Sequence, residues 1–245
     1  LRRIFSFGGG VQTTAAVILI AQGEIEEVDE LIFADTVSEK PETYWYMENY
    51  IKPILKKLNK PLTIIKSHLP SYSYGDMYAH YWRLATIPSV IQRRCTDHFK
   101  LRPIAKYYKG QEVEMMIGFS LDEAHRSRKK RTLWANESYP LIEMQITAAD
   151  CRRIIQDYGY PIPTKSSCFF CQYQRVPEWN WLKNNHPDLF QKALDLEAHF
   201  HERRPEMKDQ FGLLGGTPLW RMKEDIHPEM FRNTEYSCWS GHCGH

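Results

Sequence analysis

The sequence has no long apolar run. The longest candidate, around Ala15–Ala21, falls far short of the ~18–20 residues a membrane span needs, so no membrane crossing is expected. A secretory leader is not expected either, since the first residues read as a strand entering a glycine loop. Charge of one sign is also missing. With 32 Lys and Arg against 30 Asp and Glu, the formal net charge is +2, a balance that does not by itself argue for nucleic acid, where a strongly basic stripe is expected. There is no Gly-Lys-Ser/Thr of a Walker loop, no GxGxxG fingerprint and no internal repeat. Cysteine is scarce, with six in 245 residues. A chain of this length buries roughly 70–75% of its unfolded surface and needs no disulfides to hold together. The six therefore read as thiols or metal ligands in a reducing, cytoplasmic setting.

What is present is an ordinary globular mixture, 42% hydrophobic and 25% charged, which excludes collagenous and disordered chains. Strand-like and helix-like segments alternate through the first half. Leu1–Ser6, Leu31–Asp35, Leu62–Lys66 and Val113–Gly118 read as strands. Val11–Gln22, Pro41 to about Leu58, and Asp97–Tyr108 read as helices. Thr147–Tyr158 reads as a helix capped by Thr147 with Asp150 three residues on. From Pro177 to about Arg204 the pattern is one long helical stretch. This alternation predicts an α/β fold, a twisted parallel sheet with helices on both faces. The expected organisation is a nucleotide-binding domain over 1–175 and a helical section over 176–245 with a mobile cysteine tail. Between His68 and Gln92 the pattern is irregular and rich in Tyr and Trp, a functional excursion.

Ser6-Phe7-Gly8-Gly9-Gly10-Val11-Gln12-Thr13-Thr14 joins the first strand to the first helix. Glycines let a backbone turn sharply and approach a ligand, and a helix N-terminus offers free N–H groups to an anion. Hydroxyls of Thr13 and Thr14 could add donors. The plainer reading is a tight strand–helix turn.

The loop resembles that of the adenine nucleotide alpha-hydrolase (PP-loop) superfamily, whose pattern is Ser-Gly-Gly-x-Asp-Ser. Here Gly8, Gln12 and Thr13 stand for the Ser, Asp and Ser. It is more similar still to the Ser-Phe-Gly variant of the phosphoadenylyl-sulfate (PAPS) reductase family. Further segments follow in that family's order. They are Asp35-Thr36 with Pro41-Glu42-Thr43-Tyr44, Cys95-Thr96 with Lys100 and Pro103, Gly118 with Asp122-Glu123 and Arg126, Pro140-Leu141-Ile142, and Cys168-Phe169-Phe170-Cys171. The resemblance covers most of residues 4–175. It implies that Ser6, Gly8, Gly9, Gly10, Gln12 and Thr13 hold the phosphate or sulfate end of an adenine nucleotide (ATP, PAPS or its 3′-dephospho form). It also implies that Asp35 and Thr36 meet the nucleoside.

Cys168-x-x-Cys171 has metal-ligand spacing on its own, and Cys238 and Cys243 form a second pair in a Gly/Ser-rich tail. Four thiolates, Cys168, Cys171, Cys238 and Cys243, would make a closed zinc site. The resemblance implies instead a [4Fe–4S] cluster on Cys95, Cys168 and Cys171, with a fourth ligand from Cys238 or Cys243. Cys243-Gly244-His245 is similar to the family's Cys-Gly-x-His tail. That similarity implies a thiolate that attacks the sulfur of a bound adenylyl sulfate, after which a thiol reductant such as thioredoxin releases sulfite. As alternatives, Cys243 is a ligand or an inert tail residue. Cys151 reads as a core thiol beside Ile154 and Ile155.

Arg126 and Arg128 lead a basic run through Arg131, suited to anionic oxygens or to a solvated face. The same run, with Tyr72, Tyr74, Tyr81 and Trp82 as stacking surfaces, would fit a nucleic-acid substrate. His80, His98, His186 and His199 show no metal spacing and read as surface residues. Two functions follow. One is a PAPS reductase-like oxidoreductase. The other is an ATP pyrophosphatase that adenylates a nucleic-acid group for sulfur insertion, drawing on a sulfur donor.

Overall fold

The computed structural model describes residues 1–67, 76–128, 132 and 134–222. In chain order the elements are β1 (Arg2–Ser6), α1 (Val11–Gln22), β2 (Glu30–Asp35) and α2 (Pro41–Tyr46). A π-helical stretch, Met47–Ile51, joins α2 to α3 (Lys52–Leu58), and β3 (Leu62–Lys66) and α4 (Met77–Arg83) follow. Next comes α5 (Arg94–Thr96), joined by a second π-helical stretch, Asp97–Leu101, to α6 (Arg102–Tyr107). The remainder is β4 (Val113–Ile117), a 3-10 segment Leu121–Arg128, β5 (Asn136–Ser138), α7 (Pro140–Glu143), α8 (Ala148–Asp157), α9 (Val176–Asn185) and α10 (Pro187–Arg203). Each π-helical stretch precedes a helix with proline at its second position, Pro53 or Pro103. Proline supplies no N–H, so the regular ladder is interrupted there and the wider turn is accommodated.

The described chain forms two compact units. The first comprises Leu1–Asp35, Glu39–Ser67 and His98–Ser166. The second takes in Thr36–Ser38 and, of the described residues, 76–97 and 167–222. The units are therefore interleaved in sequence.

The first unit carries a five-stranded sheet in the order β3-β2-β1-β4-β5, all pairs parallel. β2 is buried at all six positions, as a central strand covered on both faces must be. Parallel strands need crossovers, and these are right-handed. The order thus puts α1 and α2–α3 on one face, and α6 with the 3-10 segment on the other. α8 returns to pack on α1. Flanked by the sheet and α8, α1 is buried continuously from Thr13 to Ile20, which explains why its apolar residues form no stripe. Cys151 and Ile155 of α8 join this core, as the sequence predicts for Cys151. The expected cap of α8 also forms: the Asp150 N–H donates to Thr147 Oγ1 at 3.2 Å and the Thr147 N–H to Asp150 Oδ2 at 3.0 Å.

Three expectations need correction. The single helix expected over 177–204 is two, broken at His186, because proline at 187 has no N–H and disfavours helical geometry in the residue before it. The short polar strand β5 gives no apolar signal and escapes a periodicity reading. His80 is buried rather than on the surface.

In the second unit a carboxylate organises the chain after α10. Glu197 is buried, and it accepts backbone N–H bonds from Leu213 (2.7 Å) and Leu219 (2.8 Å). Burial pushes its carboxyl above the ordinary range, against the opposing pull of those amides and of His201. His201 Nε2 meets the Phe211 carbonyl at 2.8 Å. Two such side chains from one helix hold a segment that has only isolated bridges of its own, Gly212 with Gly216 and Leu214 with Thr217.

Candidate functional site

In the first unit β1 delivers the chain to the glycine loop, and the Phe7 N–H still bonds to the Ile32 carbonyl at 2.9 Å. Gly9 then takes φ +73°, and a Cβ there would lie 2.7 Å from Thr43 Cγ2. Both conformation and space demand glycine. Gly10 caps α1. Its N–H donates to Thr13 Oγ1 at 3.2 Å, and the Thr13 hydroxyl donates to the Gly10 carbonyl at 3.1 Å. The Thr13 hydroxyl is thus part of the cap. The Thr14 hydroxyl is buried and has no hydrogen-bond partner among the described residues. No acidic side chain occupies the first turn of α1, so the partial positive charge of that helix end is left for a ligand. Ser6, Gly8 and Gln12 are half-buried at the loop's surface, and Gly9 and Gly10 are buried.

The loop stands where the strand order reverses. β1 leads away to β2, and its other neighbour, β4, leads away to β5. Ligands of open parallel sheets bind at such a switch point. Gly118, just past β4, lets α1 begin close by, since a Cβ there would sit 3.1 Å from Thr13 Cγ2.

Asp35, at the end of β2, is buried and already engaged. Its carboxylate accepts the Tyr44 hydroxyl at 2.6 Å and faces Lys66 Nζ at 3.8 Å. Burial first, and the bond to Asp35 next, hold the Tyr44 phenol above its ordinary value. Lys100 pairs with the buried Glu39 at 3.2 Å. Sequence reasoning missed the parts played by Tyr44 and Glu39, although Tyr44 stands in the Pro-Glu-Thr-Tyr segment. Arg126 is turned inward, its guanidinium 2.8 Å from Glu123 and 4.2 Å from the Phe119 ring centre. Arg128 is exposed.

The second unit holds Thr36 and three of the cysteines. Thr36 is buried, accepting the Met77 N–H on its carbonyl at 3.0 Å and the Ser38 N–H on its hydroxyl at 3.3 Å. Cys168 and Cys171 bracket a tight turn closed by the Cys171 N–H on the Cys168 carbonyl at 3.2 Å. Phe170, between them, is fully buried. Cys95 lies in α5, half-exposed, and burial first, with Cys95 next, holds the Tyr81 phenol above its ordinary value. Cys168 bears electrostatically on the same phenol. Among the described residues no three His, Cys, Asp or Glu side chains converge as a metal site. Cys238 and Cys243 lie outside the described residues, as do Tyr72, Tyr74 and residues 129–131. No helix of the described residues is long and apolar enough to cross a membrane.

No protein-family model and no curated protein matches the chain. Solved structures do. One is phosphoadenylyl-sulfate (PAPS) reductase from Candida auris in a phosphate complex, at 16% identity over 66% of this chain and 75% of that one, with a TM-score of 0.45. Another is the U34-tRNA thiolase NcsA from Methanococcus maripaludis with its [4Fe–4S] cluster, at 15% identity over 84% of this chain and 73% of that one, with a TM-score of 0.46.

Proposed function

We propose that this chain is an adenine-nucleotide-dependent enzyme of sulfur metabolism, of the PAPS reductase kind. The observation that carries the proposal is the glycine loop. An uncompensated helix end, a backbone kept bare by Gly9 and Gly10, and a place at the reversal of strand order together suit a nucleotide's anionic end. Ser6, Gly8, Gln12 and Thr13 would complete that cradle, and Asp35 and Thr36 would meet the nucleoside. In the reaction a Cys243 thiolate attacks the sulfur of the bound adenylyl sulfate. The S–O bond to the nucleotide phosphate breaks, the nucleotide leaves, and a cysteine S-sulfonate remains. A dithiol such as thioredoxin then attacks the cysteine sulfur, releasing sulfite and becoming a disulfide.

Cys95, Cys168 and Cys171, with Cys238 as the fourth, would hold a [4Fe–4S] cluster or a zinc ion. Ringed by four thiolates, either group would be a net anion that cross-links these segments, and an iron–sulfur group would add a one-electron redox centre.

One observation favours the second reading, ATP-dependent adenylation of a nucleic-acid group for sulfur insertion. Arg126 is engaged with Glu123 and Phe119, which leaves Arg128 to face a sulfate or 3′-phosphate among the described part of the basic run. Calorimetric titration of anaerobically purified protein with PAPS, its 3′-dephospho form and ATP separates the two. A sulfonucleotide bound at least about tenfold more tightly than ATP, roughly 1.4 kcal/mol, supports the reductase. Tighter ATP binding sinks it and directs the search to pyrophosphate release with tRNA or DNA present.

A further inference from the structure

Ser166 stands against the glycine loop, and the proposed chemistry does not use it. It belongs to the first unit, in the chain beyond α8, and is only 5% exposed. A Cβ at Gly10 would lie 3.1 Å from Ser166 Oγ, and one at Gly9 would lie 3.7 Å from Ser166 Cβ. Gly10 caps α1 and makes no side-chain cap bond of its own. With no side chain there, the corner beside the helix end is left to an oxygen from far along the chain. That oxygen makes no hydrogen bond among the described residues. Thr43 also reaches the loop, but it turns its methyl inward, with Cγ2 2.7 Å from where a Gly9 Cβ would be. Of these two neighbours, Ser166 is the one that offers the loop a polar atom. A hydroxyl so deeply buried and unpaired calls for a partner, and the uncompensated end of α1 beside it attracts anions.

We infer that Ser166 is a ligand-contacting residue of the glycine loop, whose O–H donates to an oxygen of the phosphate or sulfate group held there. The role rests on the reading of the loop as the cradle for a nucleotide's anionic end. A hydrogen bond to a charged acceptor is roughly twice as strong as one between neutral groups. Kept unpaired in the protein alone, the hydroxyl contributes to binding and not to folding, and the two effects of removing it should therefore separate.

The test uses the full chain, wild type and Ser166→Ala, titrated calorimetrically with ATP and with PAPS. Unfolding in denaturant is followed in parallel without added nucleotide. Ser166→Ala should bind the nucleotide about tenfold more weakly, the loss expected for one hydrogen bond to a charged group. Its denaturant midpoint should equal or exceed that of wild type, because an unpaired buried hydroxyl costs the fold and its removal does not. If wild type binds neither nucleotide, the reading of the loop fails and the Ser166 role fails with it. If wild type binds and Ser166→Ala binds equally well, the loop reading stands and the Ser166 role alone is overturned. Weaker binding together with a lowered midpoint also overturns it, for then the serine serves the fold and not the ligand.

Discussion

In the first unit the glycine loop presents backbone: a helix end with no acidic side chain in its first turn, a left-handed Gly9, and the Thr13 hydroxyl drawn into the helix cap. In the second unit the cysteine region is built of side chains, with the Tyr81 ring of α4 set edge-on against Phe170 of the 168–171 turn. The first construction depends on what a residue leaves out, the second on what it reaches. Their tolerances should differ accordingly. A loop made of omissions fails when any atom is added at its tightest point. A set made of reaching side chains loses function by degrees, one contact at a time.

Thiol reactivity offers the largest contrast. Burial pushes the Cys151 thiol up to about 12, so at pH 8 it holds far less of the reactive thiolate than an ordinary thiol does. Timed alkylation of the folded, metal-free chain, read by mass spectrometry, should leave Cys151 unmodified long after Cys95, Cys168 and Cys171 have reacted. Equal rates would mean that the α1–α8 core opens freely.

Gly9→Val comes next. It forces a branched side chain into φ +73° and against Thr43, costing about 3 kcal/mol of stability in a denaturant titration. Nucleotide binding should fall below detection by calorimetry. A variant that keeps wild-type affinity would show that the loop does not bind the nucleotide. Cys168→Ser, by contrast, should leave stability within about 1 kcal/mol, since Cys168 is only partly buried.

Thr147→Ala removes the reciprocal cap of α8 and should cost about 1 kcal/mol, measured the same way. The smallest effect is a slope. Because burial raises the Glu197 carboxyl, the folded chain holds that proton to higher pH than the unfolded chain. The stability this contributes is complete below the ordinary glutamate value and is lost as pH rises through the raised one. Glu197→Gln should flatten that part of the stability–pH curve. An unchanged slope would assign it to other groups.

The two sites were unequally legible in the sequence. Gly8–Gly10 between an apolar strand and a helix announces a backbone-built loop, because glycine is the residue for such positions, and the alternation of segments gives the parallel sheet. Cys168-x-x-Cys171 was visible as a pair for the same local reason. The inward turn of Arg126 was not visible, since a basic run looks alike whether its members face water or a buried glutamate. Tyr81 could be noticed as an aromatic but not as a neighbour of Phe170, because no local rule pairs two rings so far apart in the chain. Interactions within a turn of chain carry their own signature. Those made by folding do not.

The Glu197 clamp has a consequence for motion. One carboxylate holds the amides of Leu213 and Leu219, and the intervening chain has little ladder of its own. A turn of the Glu197 side chain away from the loop would free both amides together, so they should exchange their hydrogens with water through a single opening event, at matched rates, as one small cooperative unit.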